Sequence, residues 1–256
     1  MADAQTPSQP TPEHTFTGNL TLVSDYRFRG ISQTWRQPAV QGGIDYVHSS
    51  GVYLGNWNSN VSSNSYNNGA GLEVDLYGGY KFEPVAGLGA DIGLLRYVYP
   101  SARMNSAPAV PTGSKYDNTE LYAGLTSGAF SAKLSYALSD YFGLNGDTAP
   151  YAYWSPLTGR GSSKGTTYLD LNYALDLGEQ WTLNLHVGRT TVNRYSELSY
   201  KDYKLGLSKE WLGFTVGAAL IGTDAKTAYY QAGNSAGADP KELGKPALLL
   251  SLGKTF

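Results

Sequence analysis

The sequence predicts an all-β protein: a closed antiparallel 12-stranded transmembrane β-barrel with short periplasmic turns and long extracellular loops. Three observations predict it. Apolar residues recur at every second position along most of the chain, the period of a strand with two unlike faces. The links between these segments alternate long and short, and a soluble sandwich has no reason to sort its loops by end. The chain also ends on KPALLLSLGKTF, with Leu248, Leu250, Leu252 and Phe256 in one parity. A greasy strand needs a neighbour on both edges. Antiparallel pairing with the first strand supplies it and closes the barrel.

Composition fits. Among 256 residues there are 31 Gly and 21 Tyr, with no Cys. Gly suits tight turns, and Tyr suits the two water–lipid boundaries. The absence of Cys removes disulfide frameworks and thiolate metal sites, and fits a chain that crosses an oxidising compartment. A net charge of -2 does not suggest nucleic acid. Mean hydropathy is -0.32, and no run approaches the ~18 apolar residues of a membrane helix. Half-greasy strands escape that criterion because lumen and lipid faces alternate.

Residues 1–14 (MADAQTPSQPTPEH) are polar and Pro-rich and contain no h-region. They read as a flexible periplasmic tail of a mature chain with an added Met1, and residues 15–256 as the barrel domain. Thr15–Arg29 is the first strand. Phe16, Gly18, Leu20, Leu22, Tyr26 and Phe28 share one face, and Asp25, Arg27 and Arg29 lie on the other, with Val23 the exception. The block Ser24–Gly43, SDYRFRGISQTWRQPAVQGG, is followed by Ile44-Asp45-Tyr46 and Gly51-Val52-Tyr53. This first quarter resembles the TorF-type porins, a bacterial family without an established substrate. The resemblance implies an outer-membrane barrel and at most a pore; it assigns no site residues.

Further strands are expected over Ala39–Val47, Val52–Asn58, Ala70–Phe82, Gly87–Val98, Thr119–Thr126 and Phe130–Leu138. Others follow over Thr166–Leu177, Trp181–Arg189, Ser199–Lys209, Leu212–Ile221 and the closing segment. The long loops are Tyr99–Asp117, Ser139–Gly165 and Gly222–Gly244. The YAYWSP core of Ser139–Gly165 suggests a surface structure or an infolded segment.

Parity sorts the charges, because Arg or Lys at mid-membrane costs ~2–4 kcal/mol on the lipid face. Asp25, Arg27, Arg29, Glu73, Asp75, Glu120, Lys133, Asp170, His186, Asp202 and Lys204 are therefore expected to line a lumen. They would steer solutes through a narrow water-filled path, or pair and plug it. Arg96 and Arg189 share the lipid parity at outer strand ends, within reach of lipopolysaccharide phosphates. Trp181, Trp211, Tyr26, Tyr46, Tyr80 and Tyr136 are expected in interfacial girdles, with Phe256 at the periplasmic rim. Trp57 fits either face.

The function expected is passive diffusion of small hydrophilic solutes through an outer-membrane porin. The alternative is a plugged structural or surface-binding barrel acting through its loops. An enzyme is not expected: a surface lipid hydrolase needs Ser and His together on the lipid face, and His186 has the lumen parity. No cofactor or metal site is expected, since His14 falls in the tail and His48 in a turn. The expected partners are outer-membrane lipid, lipopolysaccharide, small solutes, and the barrel-assembly machinery through the C-terminal strand.

Overall fold

The structure is a computed structural model and describes residues 12–65, 70–104, 113–150, 157–233 and 239–256. Twelve strands form one closed antiparallel barrel. They are β1 His14–Val23, β2 Ala39–His48, β3 Val52–Asn60, β4 Leu72–Val85, β5 Leu88–Val98 and β6 Asn118–Ser127. The second half comprises β7 Phe130–Ala137, β8 Thr167–Gly178, β9 Trp181–Thr191, β10 Tyr200–Trp211, β11 Phe214–Thr223 and β12 Ala247–Thr255. Each strand pairs with the next in sequence, and β1 closes on β12 in a register running from Asn19 opposite Thr255 to Val23 opposite Ser251. Two further bonds between Gly18 and Phe256 extend this seam. The closing pair is the one that the sequence pattern predicts.

The period-2 pattern becomes two surfaces. Leu20, Ile44, Leu76, Ile92, Leu205 and Leu250 stand on the outside at 49–62% exposure. Their continuity around the barrel far exceeds the few hundred Å² of apolar patch that a water-soluble monomer exposes. A closed sheet also leaves no unpaired strand edge, so all of its backbone can enter hydrocarbon. The tight links lie at one end. Glu179 and Gln180 (φ 50 and 66) and Leu212 and Gly213 (φ 52 and 76) make two-residue turns with both central residues left-handed, the twist that matches a hairpin. The long links gather at the other end.

Two expectations need correction. The first strand does not run to Arg29: it leaves the barrel wall at Val23, and residues 24–38 form an infolded link to β2. Within it, Arg27 pairs with Ser32 and Phe28 with Ile31 around an Arg29-Gly30 turn (φ 48 and 79). Alternation persists through Tyr26 and Phe28 because this is still a hairpin, but their faces meet protein rather than lipid. Tyr26 is accordingly 8% exposed and belongs to no girdle. On β3, Asn56 is opposed by Ile44 and Leu76. This places Asn56 on the outer face and Trp57 inside, where the Trp57 ring meets Tyr26 edge-on at 5.3 Å.

The main buried cluster is in the loop half, built by Tyr26, Tyr97, Tyr99, Tyr141, Phe142 and Tyr200 among others. Ser139–Gly165 contributes to it through Tyr141, Phe142, Leu144 and Leu157. Its YAYWSP core, residues 151–156, lies outside the described residues. Of residues 1–14, only 12–14 are described, and His14 is already the first residue of β1.

Candidate functional site

The lumen has two halves of different character. In the loop half, the 24–38 link crosses from β1 and β2 to the far wall. At its tip, Arg29 Nη2 donates to Glu120 Oε2 on β6 at 2.7 Å. The guanidinium lies over the Tyr168 ring of β8 at 4.2 Å and over Phe28 at 4.7 Å. Gly30 presses so closely on the wall that a Cβ there would fall 2.4 Å from Thr223 Cγ2 and 2.8 Å from Asp202 Cβ. Only glycine combines that approach with its positive φ.

The base of the hairpin is equally tied. Arg27 Nε donates to Asp25 Oδ2 at 2.6 Å, and its Nη1 donates to the carbonyls of Leu243 and Lys245 beside β12. Asp25 Oδ1 accepts from Ser32 and Thr34 hydroxyls at 2.6 and 3.0 Å. Tyr26 donates to Glu73 Oε1 at 2.6 Å, while Tyr99 donates to Oε2 at 2.8 Å. Phe28 packs edge-on against Tyr97 and Phe142 at 5.4 and 5.5 Å. The arrangement is an aromatic plug fixed by ion pairs whose side chains are 1–7% exposed. Buried charges of this kind persist only with partners in place.

The expected lumen residues therefore sit as follows. Asp25, Arg27 and Arg29 are inside, but on the plug rather than the wall. Glu73, Asp75, Glu120 and Asp202 are on the wall beneath it, each at most 7% exposed. His186 on β9 bridges two acids: Nε2 to Asp202 at 2.7 Å and Nδ1 to Asp170 at 3.1 Å. Tyr168 also donates to Asp202, and Asn172 to Asp170. The ring of His186 thus cross-links β8 and β10 through β9.

Lys133 and Lys204 face the less filled half, toward the tight turns. Lys133 stands near the Tyr122 ring at 5.6 Å. Tyr53 bonds to Tyr122 and donates to Asp91 at 2.7 Å, and Tyr77 donates to Asp45 at 2.6 Å. The opposite wall carries small residues. There, Asn184, Lys204, Ser208, Gly217 and Ser251 border a cavity of about 220 Å³. Large tyrosines on one wall and Gly, Ala and Ser on the other leave the free volume off-centre.

The expected interfacial residues lie on the outside. Trp181 and Trp211 are at the turn end, Trp181 under the Lys209 ammonium at 4.7 Å. Trp211 and Phe256 are 59% and 70% exposed. Arg189 is exposed at the loop end. Arg96 is also there, where its Nη2 donates to Asp117 at 3.2 Å. Lys254 stacks near the Phe214 and Phe256 rings at 5.1 and 5.4 Å.

Sequence reasoning missed Tyr99, Tyr141, Phe142, Ser32 and Thr34 as plug contacts. One signal was present: the parity slip at Val23, followed by charges on both sides of Arg29-Gly30. Gly30 is the part of this signal that a tight turn asks for, since its left-handed backbone favours glycine.

The model of the family described as "Bacterial protein of unknown function (Gcw_chp)" matches residues 5–256. No curated protein matches the chain. Among solved structures, the fold is similar to that of the "KdgM porin in complex with disordered oligogalacturonate", with a TM-score of 0.52 at 9% identity, covering 94% of this chain and 98% of that one. It is also similar to the NanC porin, with a TM-score of 0.51 at 8% identity and the same two coverages. At such identities the likeness is one of fold.

Proposed function

The chain belongs to the Gcw_chp family, and on that premise we propose that it is an outer-membrane channel for small hydrophilic solutes, shut at its loop end by the 24–38 hairpin. The observation that carries this is the unequal lumen. The turn half carries polar groups such as Tyr53, Asp91, Tyr77 and Asp45 on one wall and leaves a cavity of about 220 Å³ against the small residues of the other, whereas the loop half is closed by a segment outside the barrel ladder. Side chains hold the hairpin tip to the far wall, and backbone bonds from Ser32 to Leu243 and from Ser62 to Gln33 hold its base to neighbouring loops, so residues 25–36 can leave without breaking a hydrogen bond between barrel strands. Even strand number puts both chain ends on the tight-turn side, which is the periplasmic side in such barrels. The long loops then face outward. The KdgM and NanC structures are porins by name, and the TorF-type resemblance of Ser24–Gly43 supports the same reading.

The lumen acts by excluding and steering, not by bond-making. Arg96 and Arg189 at the outer rim suit lipopolysaccharide phosphates, and the terminal strand suits capture by the barrel-assembly machinery. The test is conductance of the purified protein in planar bilayers, before and after removal of the hairpin.

A second reading, a structural barrel that never opens, is favoured by the buried Arg29–Glu120 and Arg27–Asp25 pairs. The two readings part on whether solute flux follows hairpin release.

A further inference from the structure

We propose that Glu13, His14 and His48 form a binding site for a divalent transition-metal ion of the zinc class at the turn end of the barrel. The sequence places His14 before the first strand and His48 in a turn, and no metal site is expected from that spacing. The fold changes this. β1 and β2 pair so that His14 lies directly opposite His48. Directly opposed side chains leave the sheet on one face with Cβ atoms ~4.5–5.5 Å apart. The two rings are 5.2 Å apart between centroids and inclined at 56°. Two imidazoles so placed can converge on one ion at the ~2.0–2.1 Å of a metal–nitrogen bond.

Glu13 supplies the third ligand. Its Oε1 lies 3.6 Å from His48 Nε2, and the ligand atoms of all three residues fall within 4.8 Å of one another. The ladder fixes the position of Glu13, because its carbonyl accepts the Ser49 N–H at 2.9 Å. Each ring also has an outer partner. His14 Nδ1 is 2.9 Å from the Tyr46 hydroxyl, and His48 Nδ1 is 2.7 Å from Ser50 Oγ. Partners of this kind orient a metal-ligating imidazole and fix its tautomer. The Ser50 N–H donates to His48 Nδ1 at 3.1 Å, which places the neutral ring's proton on Nε2. Metal binding at Nε2 displaces that proton, and a ring then protonated at Nδ1 gives up the Ser50 N–H bond and donates to Ser50 Oγ instead.

Two imidazoles and one carboxylate, with water completing the shell, suit zinc and its neighbours rather than calcium or magnesium. The ion would tie the first residue of β1 to the last of β2, next to the seam where β1 closes on β12. An ion bound only by the folded register stabilises it in proportion to RT ln(1 + [M]/Kd). The inference is independent of the channel reading.

The full chain, refolded in detergent and stripped with chelator, is titrated with ZnCl2 by calorimetry and with CoCl2 by visible absorption. The expected result is one ion per chain, with cobalt bands of a nitrogen–oxygen donor set. His48→Ala and His14→Ala should each weaken zinc binding at least about tenfold, and the double variant should abolish it. Tyr46→Phe, which removes only an outer partner, should weaken it about tenfold. Zinc should raise the unfolding temperature of the parent and not of the double variant. The inference is overturned if zinc shows no saturable binding. Unchanged uptake by a double variant that still migrates as folded barrel overturns it equally, since the ion then sits elsewhere.

Discussion

Replacing Arg29 by Ala should release the plug. Arg29 and Glu120 are 6% and 2% exposed at the side chain and 2.7 Å apart, so the substitution strands a carboxylate in a dry site. Removing one partner of a buried ion pair costs ~3–5 kcal/mol. The barrel ladder contains neither Arg29 nor its backbone, so the cost falls on hairpin docking, not on the fold. At ~1.4 kcal/mol per decade, the opened hairpin should become about 10² to 10^3.5 times more populated. Amide hydrogen exchange of residues 26–33 reads that population directly. The Gln33 N–H, bonded to the Tyr26 carbonyl at 2.8 Å, and the Ser32 N–H, bonded to the Leu243 carbonyl at 3.0 Å, are the reporters. Both should lose protection by about that factor in Arg29→Ala, while the amides of β9 and β10 stay unchanged. The Arg29→Ala/Glu120→Ala pair removes the stranded charge and should recover a large part of the protection, as coupled neighbours do. Exchange within a few-fold of the parent in Arg29→Ala would refute the claim that this pair holds the hairpin. So would equal loss across the barrel.

Three further outcomes follow from the geometry. Tyr26→Phe deletes the donor to Glu73 Oε1 and should destabilise plug docking by ~1–3 kcal/mol, the cost of an unmet buried acceptor, read by the same exchange experiment. Leu250→Arg places a cation in the apolar belt, where Leu250 is 56% exposed, and should cost ~2–4 kcal/mol of folding free energy in lipid vesicles; Leu249→Arg, on the lumen parity, should cost less. In the loops, hydrogen bonds from Arg160 hold the Glu197 carboxyl below its ordinary range. A depressed carboxyl contributes its stability above the unfolded value of 4.5 and loses it as pH falls through the folded one. Protease resistance of the 157–165 segment should therefore drop only below about pH 4.5 in the parent, and Glu197→Gln should remove that acid step.

Much of the barrel was legible because each wall strand answers to one rule, lipid outside and lumen inside, and period 2 records that rule directly. Leu248, Leu250 and Leu252 could not be read any other way once the strand had two neighbours. The plug obeys no such rule. Tyr26 and Phe28 alternate with Asp25, Arg27 and Arg29 as wall residues would, yet Tyr26 meets Trp57, and Phe28 meets Tyr97 and Phe142, instead of lipid. Alternation reports that a residue has an apolar neighbour, not whose it is. Glu73 and Glu120 share the inward parity, but their partners Tyr26 and Arg29 come from the hairpin, 47 and 91 residues away in sequence, a separation that no local pattern records. His14 and His48 were invisible for the same reason: their encounter is a matter of register, which turn geometry and the hydrophobic pattern set together.

Conductance tests the central claim most directly. The parent and a variant lacking residues 25–36 are inserted into planar bilayers under identical salt and voltage. The parent should be mostly shut with rare discrete openings, and the deletion variant should show frequent, ohmic steps of larger size. Silence of both proteins, with the deletion variant shown to be a folded barrel, would contradict the channel and leave a closed structural barrel in its place.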